Sequence, residues 1–243
     1  MHLQEHEAAL LRAIEGARAA RSPIASRGRG WEVDLPGAYR VQAASGTGRI
    51  LKGYKLGLLS PAKQAQMGIS TPIFGRAYAD MLLENEVDLA RFVQPRVEPE
   101  LAVILRDPVP PDATPAAAWK AIAGMLVAVD ILDSVWSGYR FTVEEVVADN
   151  SSGGAFLLGP QMREGYPTGT LRLFLNGELR SEGPVEALGD PGDRLAWLAA
   201  QVGGLQAGQV VFLGSPAPAL PAEPGVLEAV WDQGGTLIAR LSL

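Results

Sequence analysis

Arg96-Val97-Glu98-Pro99-Glu100-Leu101-Ala102-Val103-Ile104-Leu105 is the stretch on which the reading of this chain turns. Its apolar, partly β-branched second half predicts a strand over residues 96–105. Two carboxylates stand at the entrance, two residues apart. In an extended chain positions i and i+2 point to one face, so Glu98 and Glu100 project side by side. Like charges at that range oppose each other, and one tends to protonate unless a cation lies between them. A hard divalent ion, magnesium or manganese, is the natural partner, because such ions prefer carboxylate oxygen. An isolated Glu-x-Glu more often marks a solvated strand entrance, since charged side chains are mostly exposed.

Working outward, Met125 to Asp133 reads as a buried strand that carries Asp130. A carboxylate there needs a partner, because burying an unpaired charge is costly. Leu51 to Leu58 reads as a strand with Lys55 inside the glycine-flanked run Gly53-Tyr54-Lys55-Leu56-Gly57. Such a lysine either snorkels to solvent or is a buried amine held by an acid. Asp149-Asn150-Ser151-Ser152-Gly153-Gly154 is a polar turn ahead of a strand at 155–158. The last third is β-rich: a hairpin at 171–181 around Asn176-Gly177, then strands at 210–213, 226–231 and 236–241.

Helical signals lie between these runs. Leu10, Leu11, Ile14 and Ala17 set a helical rhythm within 4–20, and Asp34-Leu35-Pro36 opens a second helix to about 44. Ser60-Pro61 opens a short helix to about Met67, and 68–75 reads as loop. Thr114-Pro115 caps a helix to about 123, and further helices are predicted at 142–148 and 190–201. Without βαβ alternation the class is α+β, with an N-terminal helical segment at 1–48 and a β-rich body at 49–243.

Composition limits the chemistry. The 243 residues carry a formal net charge of -6 and no basic cluster, which argues against a nucleic-acid partner. There is no cysteine, so disulfides, thiolate nucleophiles and zinc–thiolate sites are excluded, in keeping with a reducing compartment. The N-terminus is too polar for a secretory signal, and the most apolar stretch, 125–132, is too short to span a membrane. A cytoplasmic protein is expected. The only histidines are His2 and His6, which disfavours a histidine base, a Ser-His-Asp triad and a histidine-held metal. Carboxylates, lysine, hydroxyls and a metal ion remain.

Taken in order, these segments resemble the 2-oxo acid hydratase and decarboxylase family of aromatic meta-cleavage pathways, within the fumarylacetoacetate hydrolase superfamily. The resemblance is carried by Ala38-Tyr39-Arg40-Val41-Gln42, Gly53 to Ser60, Thr71-Pro72-Ile73-Phe74-Gly75 with Asp80-Met81, Val97 to Glu100, and Val147 to Ser152. It implies a mixed β-roll or sandwich core of the fumarylacetoacetate hydrolase type behind the helical segment. It implies magnesium or manganese held by Glu98, Glu100 and Asp130, the last of which is usually glutamate in the family. Lys55, Ser152 and Asp149 become the expected catalytic residues, and Asn150, Asp80 and Ser215 the expected substrate contacts. The implied activity is a metal-dependent lyase acting on short unsaturated 2-oxo acids, of the 2-oxopent-4-enoate hydratase type. The alternative is a 4-oxalocrotonate decarboxylase. Less favoured are an acylpyruvate-type C–C hydrolase, for which a histidine base is missing, and a catalytically silent partner subunit. The resemblance also implies a homo-oligomer, with a possible complex with the pathway's sister hydratase or decarboxylase. Family hydratases often carry aspartate where this chain has Ile73.

Overall fold

Alternation along the strand Pro95–Leu105 divides the molecule in two. Val97, Leu101, Val103 and Leu105 face one core, whereas Ala102 and Ile104 belong to another. By the same period of two, Arg96, Glu98 and Glu100 share the face of Ala102. The computed structural model describes residues 2–59, 64–65 and 67–243. Its helices are α1 (Glu5–Ala20), α2 (Leu35–Ser45), α3 (Pro115–Lys120), α4 (Val143–Ala148) and α5 (Pro191–Val202). Its strands are β1 (Leu51–Gly57), β2 (Ile73–Tyr78), β3 (Glu86–Asp88), β4 (Pro95–Leu105), β5 (Ile122–Asp133), β6 (Gly153–Leu158), β7 (Thr170–Leu175), β8 (Glu178–Pro184), β9 (Val210–Phe212), β10 (Leu220–Pro221), β11 (Gly225–Trp231) and β12 (Gly235–Ser242). The helix expected from Ser60-Pro61 falls largely outside the described residues.

A seven-stranded mixed sheet runs in the order β2-β1-β9-β4-β5-β6, with β10 paired to β4. A five-stranded sheet runs β3-β12-β11-β7-β8. The two pack face to face over a core built from Leu101, Val103, Val127 and Val129 on one side and Leu171, Leu173, Leu227 and Leu237 on the other. The larger sheet curls away from this core. Phe156 on β6 and Phe212 on β9 are separated by three strand spacings, roughly 14 Å on a flat sheet. Their ring centroids stand 4.3 Å apart. Ala102 and Ala128 lie between them and leave room for the closure. The roll is completed where β2 meets β6 and the segment after β2 bonds to it, Leu83 N donating to Phe156 O at 2.9 Å. The expected mixed β-roll and sandwich is therefore present.

α1, α2 and α4 form a satellite core with Ile73, Val135 and Trp136. The helical segment thus packs on the rolled sheet's rim through residues of the body. The caps expected at Asp34 and Thr114 are present, Asp34 accepting from Gly37 N and Thr114 from Ala117 N; Thr142 and Asp190 cap their helices in the same way, accepting from Glu145 N and Gly192 N. Asn176 and Gly177, with φ of 53° and 81°, make the β7–β8 hairpin turn.

Two expectations need correction. The segment 68–75 is not all loop, because β2 begins at Ile73 and pairs antiparallel with β1. Gly75 and Arg76 interrupt the apolar pattern there, so only the partner strand identifies it. The helix opened by Thr114 ends at Lys120 rather than near 123, because Ile122 already enters β5.

Candidate active site

The register of β4 on β5 sets Glu98 directly opposite Asp130 and Glu100 opposite Ala128. Opposed residues of an antiparallel pair share a face, so the three carboxylates converge. Ligand oxygens of Glu98, Glu100 and Asp130 all lie within 4.8 Å of one another. Glu100 and Asp130 are fully buried and Glu98 is half-buried. Glu100 Oε2 accepts from Gly214 N at 3.2 Å. Glu100 Oε1 and Asp130 Oδ1 are buried without a hydrogen-bond partner. Buried acceptors are nearly always satisfied, so two orphaned carboxylate oxygens in one cluster fit a cation held between them. Burial, and after it the charges of Asp130 and Glu98, pushes the Glu100 carboxyl well above the usual carboxylate range. Burial also raises Asp130, against the pull of Lys55.

Lys55 is the buried amine of the two readings open to it. It stands on β1, opposite Phe212 and Gly75, and its Nζ pairs with Asp130 Oδ2. Burial alone would lower its pKa; Asp130, then Glu100 and Glu98, more than reverse this and hold the ammonium above its ordinary value. The acidic surround thus holds Lys55 as a buried, charged amine. Space for the amine depends on Gly75, since a Cβ there would lie 2.5 Å from Asn150 O and 3.0 Å from Lys55 Cγ.

The turn after α4 places Ser152 in the cavity. Asn150, Ser151 and Ser152 are all left-handed, with φ of 51°, 54° and 55°. Such a run persists only when its surroundings fix it. Asn150 Nδ2 donates to Arg76 O at 2.9 Å while its Oδ1 accepts from Arg76 N at 2.7 Å. Ser151 Oγ donates to Phe74 O at 2.8 Å. Ser152 Oγ is left buried and without a partner. It lines a cavity of about 590 Å3, together with Lys55, Glu98, Arg96, Tyr139 and Ser215. The remaining wall is largely apolar and includes Ile73, Leu132, Phe141 and Val146.

Three expected site residues stand elsewhere. Asp149 is buried in an ion pair with Arg18 of α1 at 2.5 Å and accepts from Val135 N at 2.9 Å. It ties the turn to α1 and does not line the cavity. Asn150 likewise clamps β2 and lies outside the cavity wall. Asp80 is exposed and paired with Arg49 at 2.8 Å. Ser215 does line the cavity, where its hydroxyl bridges the backbone of Ala217. Sequence reasoning passes over Arg96, although the i, i+2 rule that joins the two glutamates also puts Arg96 on their face. Its guanidinium lies 4.3 Å from the Tyr139 ring centroid.

A rolled sheet holding a buried carboxylate triad beside an apolar cavity defines an enzyme of the fumarylacetoacetate hydrolase fold. Residues 64–241 match the fumarylacetoacetate (FAA) hydrolase C-terminal family, and the chain belongs to that family. It is 36% identical to a 4-oxalocrotonate decarboxylase of Pseudomonas sp over 183 residues, 72% of each chain. It is also 36% identical over 239 residues to 2-keto-4-pentenoate hydratase 2 of Dechloromonas aromatica, covering 91% of this chain and 90% of the relative. Among solved structures, 4-oxalocrotonate decarboxylase of Pseudomonas putida, complexed with magnesium and adipate, superposes with a TM-score of 0.90 at 27% identity. That match covers 100% of this chain and 99% of the other. These relatives are hydratases and decarboxylases, both lyases.

Proposed function

We propose that this chain is a metal-dependent lyase of short unsaturated 2-oxo acids, of the 2-oxopent-4-enoate hydratase type. The observation that carries the reading is the buried triad Glu98, Glu100 and Asp130, with two orphaned oxygens beside a cavity that Ser152 enters. All-oxygen donors at this spacing fit magnesium or manganese. Glu98, Glu100 and Asp130 would hold the ion. When bound, it supplies Lewis-acid stabilisation to the substrate's carboxylate and 2-oxo oxygen as negative charge gathers there.

The chain's own groups do the rest. Lys55, kept charged by Asp130, is a fixed cation that offsets the substrate carboxylate. Its Nζ–H and the unpartnered Ser152 hydroxyl are the proton-bearing groups that this reading assigns to the cavity beside the triad. Ser152, held by the anchored turn, donates or accepts a hydrogen bond without reorganising. The apolar wall excludes bulk water, so that charge on the conjugated chain is stabilised by fixed groups. In a hydratase, proton delivery to the far end of the diene is followed by addition of water to the conjugated ketone.

Hydratase relatives that cover 87–91% of the chain support this step. The full-length likeness to a decarboxylase complexed with a six-carbon diacid supports the second reading, in which the same electron sink takes up the electrons left by carbon dioxide. Incubating the magnesium-loaded protein with 2-hydroxypentadienoate and with 2-oxo-3-hexenedioate, and following products by NMR, separates the two. No turnover of either would overturn the lyase. The family resemblance supports a homo-oligomer and association with the sister enzyme, and light scattering with and without that partner tests both.

A further inference from the structure

The outer face of the five-stranded sheet departs from what a sheet face in water should carry. Leu227, Ala229 and Trp231 of β11 and Leu237, Ala239 and Leu241 of β12 point into the core. Their alternates, Val226, Glu228 and Val230 with Thr236, Ile238 and Arg240, therefore point outward, where polar residues are expected. Val226 and Ile238 are instead apolar, and 42% and 54% exposed. The apolar row runs on through Phe174 of β7, opposite Glu228, to Leu179 of β8, which lies opposite Phe174 and is 48% exposed. Scattered exposed apolar residues mean little, but a contiguous patch marks a contact surface.

The strand register says what covers it. Val226 pairs with Arg240, and Glu228 with Ile238. At about 4.8 Å between strands and about 6.8 Å between alternate residues, the four Cα atoms outline a near-square. Glu228 and Arg240 occupy one diagonal, Val226 and Ile238 the other. Among the described residues Glu228 has no cationic partner, and the Arg240 guanidinium meets only Glu86, at 3.9 Å with both side chains largely exposed. Consider two copies of the face stacked about a two-fold axis along the apolar diagonal. The axis brings Glu228 of each copy to Arg240 of the other, and sets Val226 and Ile238 each against its own counterpart. An isologous contact must be self-complementary, and this arrangement of four residues is. Turning the face over about that diagonal crosses the strands of the two sheets at nearly a right angle, one of the two ways in which sheets stack. In a chain of net charge -6, a face with one spare charge of each sign also escapes the like-charge repulsion that opposes self-association elsewhere. We propose that this face is the contact between two copies of this chain, with Glu228 and Arg240 paired reciprocally across a two-fold axis through Val226 and Ile238. It gives the homo-oligomer of the preceding reading its surface. It is independent of the lyase chemistry, because the triad lies in the other sheet.

The test is light scattering of the full chain and of charge-reversed variants. Wild type is expected as a dimer, or as a larger assembly with an even number of chains. Glu228→Arg sets arginine against arginine across the axis, and Arg240→Glu sets glutamate against glutamate. Each variant alone is therefore expected to scatter at half the wild-type mass. An equimolar mixture of the two matches every charge again and is expected to regain the full mass as a hetero-assembly. The double variant Glu228→Arg/Arg240→Glu restores both pairs in one kind of chain, is expected at the wild-type mass, and serves should a single variant fail to fold. Wild type that scatters as a monomer overturns the surface and the homo-oligomer together. A monomer that associates only with the sister hydratase or decarboxylase likewise overturns the two-fold contact. An assembled wild type whose mass both single variants keep overturns the surface and leaves the homo-oligomer standing. Dissociated variants that neither the mixture nor the double variant restores overturn the reciprocal pairing.

Discussion

Glu100 is sealed from water, bonded once to a backbone amide, and set beside two further acids. Its raised pKa means that the folded, metal-free chain binds a proton there more tightly than the unfolded chain does. Its contribution to stability is therefore present in acid and lost as pH rises. A divalent ion must displace that proton, so magnesium affinity is expected to rise with pH and binding to release protons. Calorimetry in two buffers of different ionisation enthalpy counts them, and a pH-independent affinity would contradict the triad. Glu100→Gln is expected to weaken magnesium at least about a hundredfold while the protein stays folded, since neutral amide oxygen is a poorer ligand for a hard ion. Lys55→Met strands the buried Asp130 carboxylate. Breaking such a pair costs on the order of 3–5 kcal/mol, so the metal-free variant should melt earlier. Added magnesium should recover part of the loss, and turnover should fall at saturating metal.

At the scale of elements, the decisive link joins α1 to the turn that carries Ser152. Arg18 bonds Asp133 Oδ2 at 3.2 Å and Asp149 Oδ1 at 2.5 Å. Burial pushes the Asp149 carboxyl up to about 6 despite the Arg18 charge. Because the folded value exceeds the unfolded one of 3.8, this group's stabilisation is complete below about pH 4 and is lost as pH rises through 6. The loss amounts to about 3 kcal/mol. Asp149→Asn is expected to flatten the stability profile between pH 4 and 6, as measured by denaturant unfolding, and an unchanged slope would refute the assignment. The same elements show what a local reading finds. Caps at Asp34 and Thr114 and the Asn176-Gly177 turn were legible because their hydrogen bonds lie within a few residues. β2 was not, because its hydrogen bonds belong to β1.

At the scale of the molecule, the N-terminal helices and the rolled sheet share side chains. Leu10, Ile14 and Val41 pack with Trp136, Val146 and Val147, and Gln42 Nε2 donates to Phe74 O and Val147 O, each at 2.9 Å. A fragment of residues 49–243 should therefore lose the cooperative melt of the whole chain and fail to hold the Ser152 turn. A fragment with an unaltered melting profile would make the helical segment an independent appendage. No helix among the described residues is long and apolar enough to cross a membrane.

By itself the sequence determined the longer strands, though not β2, β3 or β10, and the pairing of Glu98 with Glu100, because the period of two along a strand is a property of the backbone. It also excluded thiol chemistry, because cysteine is missing, and disfavoured histidine chemistry, because the histidines are confined to the first six positions. Only the tertiary structure decided that Asp130 stands across from Glu98, since one residue of slip on β5 would turn that carboxylate to the other face. Only it gave Lys55 to Asp130, Asp149 to Arg18 and Asp80 to Arg49. Charges choose partners through space, and the curl of the sheet, not distance along the chain, set which ones meet.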